Sequence, residues 1–85
     1  MNYAVVWRRR AQDQLTALWI RAANRSAFAM YTDQIERILQ RDPRNQGESR
    51  GGDVRLWFYR PLCVLYRINE AALTVEIGRI KWVGR

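Results

Sequence analysis

Residues 53–68 read DVRLWFYRPLCVLYRI, and their alternation decides the fold. On an extended chain Val54, Leu56 and Phe58 fall on one side, with Arg55, Trp57 and Tyr59 on the other. Beyond Arg60-Pro61, the residues Leu62, Val64, Tyr66 and Ile68 share a side opposite Cys63, Leu65 and Arg67. A period of two belongs to a strand with one face on a core, so both runs read as neighbouring strands. Proline has no N–H to give a ladder and suits the turn between them. The stretch is expected to be a β-hairpin on which the rest of the chain packs, with Arg55, Trp57, Leu65 and Arg67 on its open, polar-phase face.

Upstream, Tyr3 to Trp7 (YAVVW) is a short apolar strand without strict alternation, which suits a central strand or one covered on both faces. The period changes at Arg8. Ala11, Leu15, Leu18, Trp19 and Ala22 form one helical stripe, and Phe28, Tyr31, Ile35, Ile38 and Leu39 form a second. Asn24-Arg25-Ser26 separates them, with Asn24 or Ser26 able to cap the second helix. Asp42-Pro43 ends it, because a residue before proline leaves the helical region. So short a break predicts an antiparallel helical hairpin. Pro43 to Gly52 (PRNQGESRGG) reads as the one true loop.

Downstream of the hairpin, Asn69 to Ala72 is a turn and Leu73 to Trp82 the last strand. Leu73, Val75 and Ile77 are in phase, but Ile80 and Trp82 are out of phase by one, with Gly78 between. That slip predicts a β-bulge at Gly78, turning Arg79 and Lys81 to the face opposite Ile80 and Trp82. The expected order is β-α-α-β-β-β, an α+β fold with a two-helix hairpin on one face of a small, mostly antiparallel sheet. The 85 residues leave room for one domain over 1–85.

Composition narrows the function. Histidine is absent and Cys63 is the single cysteine, so neither a metal site, a disulfide framework nor a histidine-based acid–base centre is expected, and no cofactor is implied. No apolar run reaches the ~18 residues of a membrane span. The N-terminal order, apolar residues before Arg8-Arg9-Arg10, is the reverse of a signal peptide. A cytoplasmic protein without a membrane partner is the expectation. Net charge is +7, and every positive residue except Lys81 is arginine, whose planar fork suits phosphate and carboxylate. Nucleic acid or an acidic protein is the partner such a chain predicts.

The ordered set YAVVWRRRAQDQLTALW, IERILQRDP, GESRGG, PLCVLYRI and VEIGRIKWV resembles the RelE/ParE superfamily of bacterial type II toxins over nearly the whole chain. That resemblance implies a small basic toxin of a toxin–antitoxin, or plasmid-stabilisation, pair, held by an acidic antitoxin encoded by an adjacent gene. RelE-like members cleave mRNA in the ribosome, and ParE-like members poison DNA gyrase. The ribonucleases typically carry an arginine in the strand that here reads PLCVLYRI, where this chain has Cys63. They also tend to have a C-terminal histidine, tyrosine or further basic residues. Here Trp82 takes the histidine-like place, and no tail follows Arg85. The resemblance therefore points to a ParE-like, gyrase-directed or inert toxin. A ribosome-dependent RNA-binding endoribonuclease is the alternative, and a non-catalytic nucleic-acid-binding module a further one.

Within that frame Arg50, Arg55, Arg67, Arg79, Lys81 and Arg85 are the candidates for holding nucleic acid or another target. Like charges gathered on one sheet face repel, which hints at a function for the arrangement. Glu48 is the one carboxylate placed to act as a base, with Arg79 and Lys81 beside it as weak catalytic candidates; a loop glutamate is more often solvated or paired with arginine. Tyr59 is a candidate acid or stacking platform, though a core or rim role is commoner. Trp57 and Leu65 are expected to form the apolar patch that the antitoxin covers. Cys63 lacks a histidine to activate it and reads as a small apolar residue.

Overall fold

Leu62, Val64, Tyr66 and Ile68 are all buried, and they make their strand the middle of the sheet. The computed structural model describes residues 2–84. Its elements are β1 (Ala4–Trp7), α1 (Arg9–Arg21), α2 (Arg25–Arg41), a 3-10 turn (Pro43–Asn45), β2 (Glu48–Ser49), β3 (Val54–Tyr59), β4 (Leu62–Asn69) and β5 (Thr74–Trp82). They form a five-stranded sheet in the order β1-β5-β4-β3-β2. β1 runs parallel to β5 and the other pairs are antiparallel. The α+β architecture is the one expected, with two additions. The 43–52 segment holds the 3-10 turn and the short β2, and β1 is an edge strand rather than a central one. The unbroken apolar run of β1 does not signify two-sided burial: Val5 and Trp7 pack on the core, while Val6 is 44% exposed.

The hairpin register corrects the face assigned to β3. Only Arg60-Pro61, joined by a cis peptide, separates the strands, so Tyr59 pairs with Leu62, Trp57 with Val64 and Arg55 with Tyr66. Opposed residues of an antiparallel pair point to the same face. Because Leu62, Val64 and Tyr66 face the helices, Tyr59, Trp57 and Arg55 do too. Trp57 is 8% exposed and belongs to the core, its ring set edge-on to Tyr59 at 5.2 Å. Val54, Leu56 and Phe58 are the open-face set. The bulge at Gly78 is present: Leu65 pairs with Arg79 but Tyr66 with Ile77, leaving Gly78 unmatched. Ile80 therefore returns to the core, and Arg79 and Lys81 turn outward with Leu65 and Cys63.

Both helices cover the inner face. Ala11 of α1 and Phe28, Ile35 and Leu39 of α2 are buried, with Leu15, Leu18, Ala22, Tyr31 and Ile38 packed around them. Each stripe is the one its period of 3.6 predicts, except that Trp19 stands off the core, 40% exposed, with the Arg25 guanidinium over its ring. Asn24 caps α2, its Oδ1 accepting from the Ala27 N–H at 3.0 Å. Arg25 reaches back to the Trp19 and Ile20 carbonyls at 3.1 and 3.2 Å, satisfying acceptors that the end of α1 leaves open. The 43–52 segment is pinned from the sheet. Arg55 donates to the Gln46 and Gly47 carbonyls at 2.7 and 3.1 Å. The Tyr66 hydroxyl lies 2.5 Å from the Pro43 carbonyl, and burial pushes its pKa up to about 12.

At one end of the sheet Glu70 ties three segments together. It accepts from Arg44 Nε at 2.5 Å and from the Tyr3 hydroxyl at 2.9 and 3.0 Å, while Arg44 also reaches Asp53 at 3.3 Å. Arg44, then Tyr3, hold the Glu70 carboxyl below its ordinary pKa. A lowered folded-state pKa contributes stability that is present above the ordinary glutamate value and is lost as pH falls through the lowered one. Glu70→Gln is accordingly expected to flatten the acid limb of a melting-temperature profile and leave it parallel to wild type near neutrality. An acid limb of unchanged slope would remove this role.

Candidate nucleic-acid and partner interface

The open sheet face is built from cross-strand rows, because strand pairing sets side chains of neighbouring strands abreast at about 5 Å. Phe58, Cys63 and Lys81 make the row nearest the Arg60-Pro61 turn. Glu48, Leu56, Leu65 and Arg79 make the next, and Val54, Arg67, Glu76 and Val6 the third. Apolar side chains thus occupy β3 and most of β4 on this face, with Arg79 and Lys81 on the β5 flank and Arg67 on β4. Gly78 adds no side chain, and around it opens a hollow of about 490 Å³ lined by Arg8, Val54, Leu65, Arg67 and Glu76.

The charges divide into paired and unpaired. Arg8 meets Glu76 at 3.0 Å, and Arg50 meets Glu48 at 3.2 Å. Among the described residues, Arg67, Arg79 and Lys81 have no acidic partner. They leave a net positive field on this face for a ligand to meet. Cys63 lies between the two flanks, 7% exposed. Burial pushes its thiol up while Lys81 and Arg50 pull it back down, so it stays a protonated small side chain rather than a nucleophile.

The structure brings together only part of the set singled out in sequence. Arg67, Arg79, Lys81 and Leu65 share the open face, with Arg50 and Glu48 at its β2 edge. Glu48 is an exposed ion-pair partner of Arg50, held by no second group among the described residues. Arg55 is not on this face; it is bound on the helix side to the 43–52 segment. Trp57 is buried and unavailable to a partner. Tyr59 also faces the helices, its hydroxyl bonded to Gln34 of α2. Arg85 lies outside the described residues. Trp82 pairs with Leu62 and so points to the helix side, 52% exposed, over a second, apolar hollow of about 470 Å³ between Leu18, Ala22, Phe28 and Tyr31. Sequence reasoning missed Phe58, which stands 51% exposed on the open face. The signal was available. A two-residue turn forces Tyr59 and Leu62 onto one face, and Phe58 onto the other.

No group of His, Cys, Asp or Glu among the described residues is arranged to hold a metal ion. None of the described helices is long and apolar enough to cross a membrane.

No family model and no curated protein matches the sequence. Solved structures do match the fold. The RelBE2 toxin–antitoxin complex of Mycobacterium tuberculosis is 21% identical with a TM-score of 0.79, covering 96% of this chain and 99% of that one. The chromosomal ParDE toxin–antitoxin system of P. aeruginosa is 21% identical with a TM-score of 0.70, over 95% and 96% of the two chains. The isolated E. coli RelE toxin is 16% identical with a TM-score of 0.70, over 98% and 86%. The chain has the RelE/ParE fold.

Proposed function

We propose that this chain is the toxin of a bacterial type II toxin–antitoxin pair, acting in the cytoplasm and neutralised by an acidic antitoxin encoded beside it. The observation that carries this reading is a toxin fold whose open sheet face keeps Arg67, Arg79 and Lys81 without acidic partners among the described residues. Arg79 and Lys81 follow one another along the outward side of β5 and Arg67 stands on β4, so carboxylates from a partner would find cations to pair with there. The apolar middle of the face, with Leu65 in it and Phe58 in place of Trp57, supplies area for the same partner to bury.

Within that class we favour a ParE-like, gyrase-directed or inert toxin. RNA cleavage needs a base, an acid and charge on the phosphate, and the face supplies charge alone. Glu48 is engaged by Arg50, Cys63 stands where the resemblance implies an arginine, and Trp82 is turned to the other side of the sheet. A RelE-like ribonuclease is the second reading, favoured by Arg79 and Lys81 lying on one face of the same strand. Purified protein added to translating ribosomes is expected to leave mRNA uncut by toeprinting. Codon-positioned cleavage that disappears in an Arg79→Ala, Lys81→Ala variant would replace the first reading by the second, and Glu48→Gln would then test the base.

The pair itself is tested by co-expressing the adjacent open reading frame. A stable complex is expected, with association slowing as salt rises and stability raised by about 2.7 kcal/mol at one hundred times the dissociation constant. No co-purifying protein, together with no effect of this chain on growth, would reject the toxin–antitoxin reading.

A further inference from the structure

Gly78 is a glycine that the fold does not require. Its φ lies outside the left-handed region. A Cβ built there would meet, within 4 Å and beyond its chain neighbours, only the Leu65 carbonyl oxygen, at an ordinary contact distance of 3.8 Å. A bulge needs glycine where its first residue is left-handed, and this one is not. Glycine also weakens a strand interior, through backbone entropy and the missing side chain. Where neither conformation nor crowding within the chain calls for glycine, its physical use is room for a close approach from outside. By alternation from the buried Ile77, that room opens on the outer face, in the hollow of about 490 Å³. The walls of the hollow divide by chemistry. Val54 and Leu65 are apolar, and Arg8, Arg67 and Glu76 are charged. Glu76 is engaged by Arg8 at 3.0 Å. It also stands directly opposite Arg67, which has no acidic partner among the described residues. Two guanidiniums thus share one carboxylate, and the hollow is one negative charge short.

We propose that the hollow over Gly78 is the seat of one acidic side chain of the antitoxin, its methylenes against Leu65 and Val54 and its carboxylate at Arg67. The seat rests on the toxin–antitoxin reading and gives that interface a specific anchor. A carboxylate accepting from a guanidinium makes charge-assisted hydrogen bonds, and enclosure by apolar walls makes them stronger than pairs at an exposed rim. Val54 and Leu65 exclude water from one side of the pair, which suits the stem of a glutamate or aspartate better than a bare ion. A side chain at residue 78 would fill the space the partner enters. Glu76 sets the selectivity of the seat: it neutralises Arg8, so that a single further carboxylate balances the hollow.

The test uses the protein encoded by the adjacent open reading frame, with its binding to immobilised wild type and variants followed by biolayer interferometry. Gly78→Val is expected to melt at or above the wild-type temperature, since a β-branched residue suits a strand better than glycine. The same variant is expected to bind the partner about 10- to 100-fold more weakly, chiefly through faster dissociation. Glu76→Gln removes a neighbouring negative charge and frees Arg8, and is expected to tighten binding about 3- to 10-fold. Arg67→Ala weakens binding, and Gly78→Val added to it should cost less than the two losses combined, because both act on one seated carboxylate. If Gly78→Val alone melts early, Gly78→Ala carries the binding test, with a loss of about 3-fold. Binding by the residue 78 variant as tight as wild type, Glu76→Gln no tighter than wild type, or losses that simply add would each overturn the seat and leave the toxin–antitoxin reading standing. Early melting of both Gly78→Val and Gly78→Ala would overturn it too, returning the glycine to a role in the backbone. No co-purifying partner would remove the reading and the seat together.

Discussion

Trp57→Ala lowers the stability of the folded chain by about 3 to 5 kcal/mol, the range for deleting a buried indole. The ring is 8% exposed, lies edge-on to Tyr59, and packs opposite Val64 in the same core as Ile35 and Ile80. Its removal takes away transfer free energy and leaves a cavity that a two-layer fold closes only in part. For a domain of this size total stability is about 5 to 15 kcal/mol, so the variant forfeits a large fraction of it. At about 4 to 8 °C per kcal/mol the melting temperature falls by more than about 12 °C. A surface tryptophan would move stability by only about 0.5 kcal/mol, with the loss showing in partner binding instead. Chemical denaturation of the chain alone decides between these outcomes. A change below about 1 kcal/mol would return Trp57 to the open face.

Gly47→Ala is expected to cost about 2 to 5 kcal/mol, the backbone penalty and the overpacking penalty acting together. Gly47 has φ +62°, a left-handed conformation that a side chain disfavours by about 1–2 kcal/mol. Added to this, a Cβ there would lie 2.2 Å from the Leu56 carbonyl oxygen and 2.8 Å from the Leu56 carbonyl carbon and the Trp57 Cα. All three are backbone atoms of β3, so no side chain can swing aside. The segment must lift, and with it go the β2 pairing and the Arg55 bonds to the Gln46 and Gly47 carbonyls. Gly51 and Gly52 also have positive φ, 102° and 55°, but nothing lies within 4 Å of a Cβ at either. Their alanine variants isolate the backbone effect. A Gly47→Ala variant no worse than these two in urea melts would show that the segment relaxes freely.

Much of the fold was legible because periodicity reports burial directly. The two helical stripes, the strand β4 and the slip around Gly78 each follow from side chains that must reach one core, and a glycine between two phases left the bulge little alternative. The function-bearing face was less legible for a reason specific to β3. Its two faces, Val54-Leu56-Phe58 and Arg55-Trp57-Tyr59, are both largely apolar, so alternation shows a strand without showing which side faces in. An arginine weighed toward the open side proved misleading. Arg55 is held on the helix side because the Gln46 and Gly47 carbonyls are there to accept its donors. β1 misled in the opposite sense, since four apolar residues in a row fit an edge strand with one face exposed as well as a central strand.

The sequence by itself determined the class of fold, the two helices, the bulge and the excess of arginine, all of which rest on neighbours in the chain and on the preference of apolar groups for a core. Only the tertiary structure decided which residues share the open face. That choice depends on the register between β3, β4 and β5, which is set by the two-residue turn and the unmatched Gly78. Register moves whole strands between faces at a stroke, and that is how Trp57 became core and Phe58 surface.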